Sequence, residues 1–341
     1  MRSLPLLLAV LALPAAAQEP PVLKAEITVD AGKDLRDIPR TIYGANVGWP
    51  AGGNGVVNMR TRQIDADLLK LARELGPTVV RFPGGTFADS YRWKDATGPV
   101  ERRPKTQPTA GEGDAQEHLL GTDEFLDFVK RLDAQPLFTV NAVSGSAEEA
   151  AEWVRYVNGD PKKAPRGQAP RAALWEIGNE NYNKGRGTLE PAEYARRFKA
   201  FAKAMRAADP RVKLMALGCE QFNPALVTSG EYNHPGFTDT VLREVGADMD
   251  CLAIHNAYAP AVVRPEEQAR EPRDVYRAMY AAPGRIAENL AELDRRIARL
   301  VPRGGDRIRV AVTEWGPFFS FHPHERYTDH IKPHGSALFV A

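Results

Sequence analysis

Short apolar runs alternate along this chain with stretches in which apolar residues recur at helical spacing. The runs Thr41–Asn46, Thr78–Phe82, Pro136–Val143, Ala173–Gly178, Val212–Gly218, Asp250–His255 and Ile308–Glu314 predict seven strands. Between them, Ile64, Leu68, Leu71 and Leu75 form one helical stripe, and Tyr194, Phe198, Phe201 and Met205 another. Ile286, Leu290, Leu293, Ile297 and Leu300 form a third. Ser146 with Glu149 reads as a capping box, Thr122 as an N-cap and Pro191 as a first helical residue. Alternating strand and helix with apolar strands predicts a parallel sheet covered by helices, in the α/β class. Seven strands at this spacing point to a (β/α)8 TIM barrel. The competing fold is an open doubly wound sheet. No G-x-G-x-x-G follows the first strand, and Gly52-Gly53-Asn54-Gly55 lacks the Lys-Ser/Thr of a phosphate loop, so nucleotide binding has no support.

Seven strands are one short of a closed barrel. After Glu314 comes a long loop, and Ser336–Ala341 reads as the first turn of a helix. The expectation is a barrel incomplete at its C-terminus, with strand eight missing. Residues 40–341 form this barrel. Residues 18–39 precede it and contain an isolated strand at Leu23–Val29. Residues 160–171 read as a basic, proline-rich surface connection.

Composition adds little to the fold and more to the setting. The chain is 43% hydrophobic and 26% charged with a formal net charge of +1, which gives no electrostatic case for nucleic acid or an anionic membrane. Arg2, the apolar run Leu4 to Leu13 and Ala15-Ala16-Ala17 read as a bacterial-type signal peptide over residues 1–17. That run is too short to span a bilayer. The expected location is therefore secreted or periplasmic. Cys219 and Cys251 fall at opposite ends of neighbouring parallel strands, beyond disulfide reach, and are expected to be free and buried.

Two runs carry the chemistry. Trp175-Glu176-Ile177-Gly178-Asn179-Glu180 and Val310-Ala311-Val312-Thr313-Glu314-Trp315 each end on a carboxylate followed by loop-like sequence. In a parallel barrel the C-terminal strand ends carry the active site. A pair of glutamates there suits glycosidic-bond cleavage, with Glu180 as general acid/base and Glu314 as nucleophile. Asn179 is placed to bind a sugar 2-hydroxyl. Glu176 is read as facing away from Glu180, by strand alternation. Trp93 and Trp315 suit the C–H faces of a sugar, Arg81 is held at the barrel mouth by Pro83-Gly84-Gly85, and His255 ends strand six.

The chain resembles glycoside hydrolase family 51, the α-L-arabinofuranosidases, within the larger clan of retaining (β/α)8 hydrolases. The residues that carry the resemblance are Ile42-Tyr43-Gly44, Arg81-Phe82-Pro83-Gly84-Gly85, Tyr91-Arg92-Trp93-Lys94-Asp95 with Gly98-Pro99, Gly121-Thr122-Asp123-Glu124-Phe125, Asn158-Gly159, Gly178-Asn179-Glu180 and Thr313-Glu314-Trp315. The resemblance implies a retaining mechanism with the same two glutamates, and a sugar-binding arginine and asparagine at Arg81 and Asn179. It also implies a C-terminal β-sandwich, which is missing here. The family's first-strand glutamate aligns with Gly48, its asparagine after Pro-Gly-Gly with Thr86, and its His-x-Tyr with His255-Asn256-Ala257-Tyr258, one residue longer. Thr86 and Tyr258 are kept as substrate-binding candidates.

The expected activity is cleavage of arabinofuranosyl side chains of hemicellulose or arabinan, with a polysaccharide or oligosaccharide as partner and no cofactor. Two alternatives stand: an endo-β-glycanase, because Gly48 and Thr86 would open the cleft, and a non-catalytic carbohydrate-binding remnant. His322, His324, His330 and His334 read as part of a solvated loop rather than a metal site. The sequence leaves the oligomeric state open.

Overall fold

The computed structural model describes residues 26–316, apart from 27, 29, 31, 34–36, 109–113, 164–170, 186, 221–232, 256 and 259–271. Residues 1–17, most of Leu23–Val29, and the histidines from His322 to His334 lie outside the described residues, as does most of the basic loop. Two units are distinguished, Met1–Pro39 and Arg40–Ala341.

All seven predicted strands form. They are β1 (Gly44–Asn46), β2 (Val79–Phe82), β3 (Gln135–Val140), β4 (Leu174–Ile177), β5 (Lys213–Leu217), β6 (Cys251–Ile254) and β7 (Arg309–Val312). Every neighbouring pair is parallel and the spatial order is the chain order. Each connection carries a helix that covers the sheet: α1 (Ala66–Leu75), α2 (Thr122–Arg131), α3 (Ala147–Asn158), α4 (Pro191–Ala208), α5 (Phe237–Val245) and α6 (Pro272–Leu300), with a short kinked turn of helix, Pro50–Asn54, before α1. This sheet curls into an incomplete (β/α)8 barrel of seven strands. Strand one is shorter than expected, because Arg40–Ile42 forms a 3-10 turn. A two-residue strand, Trp315–Gly316, pairs with Ala257–Tyr258 and extends the β6–β7 ladder past its end.

Local chemistry explains the helix starts. Asp65 caps α1 through the backbone N–H groups of Asp67 and Leu68, at 3.1 and 3.0 Å. Ser146 caps α3 through Glu149 N at 3.1 Å, and Pro191 is the first residue of α4. The α3 box is half-formed, since the Glu149 carboxylate turns to Arg92. At α2 the cap is Gly121, whose N–H donates to Glu124 at 2.9 Å. Thr122 is instead the first helical residue, and its hydroxyl accepts a bond from Trp153 Nε1 at 3.0 Å. Cys219 is buried and Cys251 half-buried, and both are free.

The two sheet faces differ in kind. The register aligns Phe82 with Phe138 and Phe138 with Trp175, so these rings share the helix-facing side. There they meet Phe125 of α2 and Trp153 of α3, with centroids 4.7 Å apart for Phe82–Phe125 and 4.8 Å for Phe138–Trp153. Aromatic contacts of this kind add to plain area burial. The register also aligns Asn46 with Arg81, and Thr139 with Glu176. These polar residues share the inner face.

Candidate active site

A buried guanidinium organises the inner face. Arg81 Nε donates to Glu176 Oε2 at 2.5 Å and Nη1 to Glu314 Oε1 at 2.9 Å. Its Nη1 also reaches Asn46 Oδ1 at 3.3 Å, and Nη2 donates to Asn179 Oδ1 at 2.7 Å. Glu176 accepts further bonds from the hydroxyls of Thr139, at 3.1 Å, and Thr313, at 2.7 Å. Burial alone would raise the Glu176 pKa, but the Arg81 charge, the nearby His255 and the bond from Thr313 outweigh it and hold the carboxyl at about 2. Burial likewise works against the Arg81 charge, and Glu176 and Glu314 more than compensate.

His255 links the two glutamates singled out by sequence. Its Nδ1 lies 2.9 Å from Glu180 Oε1 and 3.8 Å from Glu314 Oε2, and its Nε2 lies 3.0 Å from Thr313 Oγ1. Thr313 has one hydroxyl proton and gives it to Glu176. It therefore accepts from His255, which assigns a proton to Nε2. The Nδ1 position is then shared with Glu180. Burial disfavours an imidazolium here, but Glu314, Glu176 and Glu180 surround it and raise its pKa to about 10. Glu180 Oε2 accepts a second bond from Asn183 Nδ2 at 2.8 Å.

The chain reaches this geometry by leaving strand conformation abruptly. Gly178 follows β4 with φ 89°, where a side chain would be strained, and Glu180 itself has φ 47°. A left-handed non-glycine residue costs about 1–3 kcal/mol and persists only where its surroundings hold it. Thr313 follows β7 directly, its N–H donating to Ile254 O at 3.1 Å, and Glu314 comes next. One oxygen from each of Glu180 and Glu314 and one His255 nitrogen all lie within 4.8 Å of one another. Such a trio could ligate a divalent ion only if His255 gave up its Nδ1 proton, which its three carboxylate neighbours oppose.

Of the residues singled out by sequence, Glu180, Glu314, Arg81, Asn179 and His255 come together. Among the described residues, Asn179 Nδ2 has no hydrogen-bond partner there, although it is buried. Trp315 stands next to Glu314 and is 41% exposed. Tyr258 pairs with Gly316 through its backbone. Thr86 opens a short 3-10 helix, Thr86–Ser90, outside this set of contacts. Trp93 is corrected from a sugar platform to a core residue. It is buried, its Nε1 donates to Glu149 O at 3.0 Å, and its ring lies parallel to Trp153. Glu176 is corrected too. It faces the inner side and forms the floor of the site, because its spacing from Glu180 is even and the turn at Gly178 keeps both at the same mouth. Asn46, Thr139, Thr313 and Asn183 were missed. For Thr313 and Asn46 the signal was available, since each ends a strand run on the inward parity. At Gly48 an added Cβ would press on Asn54 Oδ1 at 3.0 Å, and the Gly48 N–H donates to that oxygen at 2.7 Å.

Residues 71–245, just over half of the chain, match the α-L-arabinofuranosidase 1 domain. The chain belongs to this α-L-arabinofuranosidase family. Among curated relatives, an intracellular exo-α-L-arabinofuranosidase of Bacteroides ovatus is 31% identical over 249 residues, covering 68% of this chain and 46% of that protein. An intracellular exo-α-(1->5)-L-arabinofuranosidase of Streptomyces lividans is 34% identical over 207 residues, covering 57% and 30%. The chain thus spans less than half the length of these relatives. Among solved structures, the α-L-arabinofuranosidase of Thermotoga maritima, in complex with arabinose, superposes with a TM-score of 0.64 at 25% identity, covering 81% of this chain and 55% of that one. A family 51 α-L-arabinofuranosidase of Bifidobacterium longum shares the fold with a TM-score of 0.68 at 24% identity, covering 85% and 58%. The family is one of glycoside hydrolases. Its curated members also correct the expected location. Two relatives are named intracellular, which points away from a secreted or periplasmic protein. No helix among the described residues is long and apolar enough to cross a membrane.

Proposed function

We propose that this protein is a retaining α-L-arabinofuranosidase that removes arabinofuranosyl side chains from hemicellulose or arabinan by double displacement. The observation that carries the reading is the approach of Glu180 and Glu314 oxygens to within 4.8 Å at the ends of two different strands. Retaining enzymes hold their carboxyl groups about 5–5.5 Å apart, and inverting ones about 6.5–9.5 Å apart to admit a water. Glu314, paired with Arg81 at 2.9 Å, attacks the anomeric carbon and forms a glycosyl-enzyme ester. Glu180 gives the leaving oxygen a proton and later takes one from the attacking water. The proton shared between Glu180 Oε1 and His255 Nδ1, at 2.9 Å, is the one available for transfer.

Proton NMR of the first sugar product from 4-nitrophenyl α-L-arabinofuranoside tests the stereochemistry, with the matching glucoside and xyloside as controls. An α-configured initial product is expected, and a β-configured one would mean inversion. Glu314→Ala should abolish turnover. Glu180→Ala should keep activity on the activated aryl substrate, with azide accelerating it. Azide rescue in Glu314→Ala alone would swap the two roles. Hydrolysis of the glucoside or xyloside in place of the arabinofuranoside would overturn the sugar assignment.

A further inference from the structure

The 3-10 helix Thr86–Ser90 carries a buried acid, Asp89, that the proposed reaction does not use. Among the described residues no cation pairs with it. Its two oxygens instead accept from one donor, Asn181 Nδ2, at 3.2 and 3.3 Å. The same amide nitrogen donates to the Gly187 carbonyl at 2.8 Å, and the Asn181 carbonyl accepts from Leu189 N at 2.8 Å. Asn181 is thus pinned from several directions, and it is the residue directly after Glu180. Two glycines make room for the arrangement. A Cβ on Gly187, at φ 78°, would collide with Asp89 Oδ2, and one on Gly178, at φ 89°, would collide with Asn181 Oδ1. Asp89 is itself tethered, its carbonyl accepting from Ser144 Oγ at 3.2 Å.

We propose that Asp89 and Asn181 are a positioning pair: Asp89 anchors the Asn181 amide, and the anchored backbone holds Glu180 in its left-handed conformation with its carboxylate toward His255 and Glu314. The inference rests on the acid/base role proposed for Glu180. Burial pushes the Asp89 carboxyl up to about 7, against the Asn181 hydrogen bonds that lower it, and the Glu180 charge adds to the rise. An uncharged acceptor of the same shape therefore substitutes for it.

The test uses the full chain with Asp89→Ala, Asp89→Asn, Asn181→Ala and Glu180→Gln, assayed on 4-nitrophenyl and alkyl α-L-arabinofuranosides. Misplacing a general acid hurts poor leaving groups most. Asp89→Ala and Asn181→Ala should lower kcat about 30-fold or more on the alkyl glycoside and about 3-fold or less on the aryl one, with KM nearly unchanged. Asp89→Asn should restore most of the loss. Hydrogen exchange of residues 178–189, measured without substrate, should accelerate in the two alanine variants and stay at the wild-type rate in Asp89→Asn. Equal losses on both substrates, or unchanged exchange, would overturn the pair. If Glu180→Gln itself shows no leaving-group dependence, the acid/base role fails instead, and the exchange data still decide whether Asp89 and Asn181 hold the segment.

Discussion

The middle of the sheet and its two edges are built differently. In β2 every residue is buried, and β3 through β6 are buried apart from their first residue. β1 and β7 are largely half-buried or exposed along their length. The site spans this divide. Arg81 and Glu176 sit on central strands with side chains 3% and 0% exposed, whereas Glu314 hangs from the edge strand at 15%. The edge gains its order from the middle. Arg81 reaches Glu314, His255 and Glu176 hold Thr313, and Asn46 Nδ2 donates to the Thr313 carbonyl at 3.3 Å. Side-chain polarity does here what strand packing does in the interior.

The sharpest way to break this contrast is Arg81→Met. It removes the nearest counter-charge of the buried Glu176 and leaves only His255 at 3.9 Å, and urea unfolding should show a loss of about 3–5 kcal/mol. A loss below about 1 kcal/mol would mean that the floor of the site relaxes as easily as the edge does. Next, paired truncations compare the two regions directly. Phe138→Ala in the middle should cost about 3 kcal/mol or more, and Val310→Ala on β7 about 1 kcal/mol or less, by the same measurement. Equal costs would erase the distinction.

The third prediction concerns pH. The folded pKa of Glu176 is about 2, below its ordinary 4.5, so it stabilises the fold fully above about pH 4.5 and loses that contribution as pH falls toward 2. Wild type should exceed Glu176→Gln by about 2–3 kcal/mol at neutral pH, with the gap closing through that acid window. A pH-independent gap would show that the carboxylate charge is not what Arg81 recognises. His255 runs the other way: its folded pKa of about 10 gives a contribution complete below about 6.5 and lost as pH rises through 10. The smallest effect is Asn46→Ala, which removes one neutral tie between β1 and β7 and should cost about 1 kcal/mol by urea unfolding. A larger drop would make that tie a main closure of the curl.

Much of this fold was legible in the sequence. Apolar runs bounded by turn residues are dictated by burial on both faces, so all seven strands could be placed to within a few residues. The pairing of Glu180 with Glu314 was legible for the same reason, since a strand that ends on a carboxylate delivers it to one rim. Orientation past a strand end was harder to read. Glu176 was misjudged although four residues separate it from Glu180, an even spacing that puts both on the inner side, while Gly178 turns the chain out of the strand between them. Trp93 could not be assigned because an indole beside a turn motif has the same composition whether it faces a sugar or packs on Trp153. Asp89 and Asn181 carry no sequence signal as a pair, being joined only through the folding of two distant loops.

The aromatic layer has a consequence for optical work on this protein. Of the five tryptophans, Trp49, Trp93, Trp153 and Trp175 are buried, and Trp315 alone is substantially exposed, beside Glu314. Intrinsic emission is therefore divided by location. The blue-shifted part reports on the core, and the red-shifted, iodide-quenchable part comes from a single indole at the barrel mouth. Titrating a sugar into the protein while following only the quenchable fraction isolates events at the site from any change in the fold beneath it.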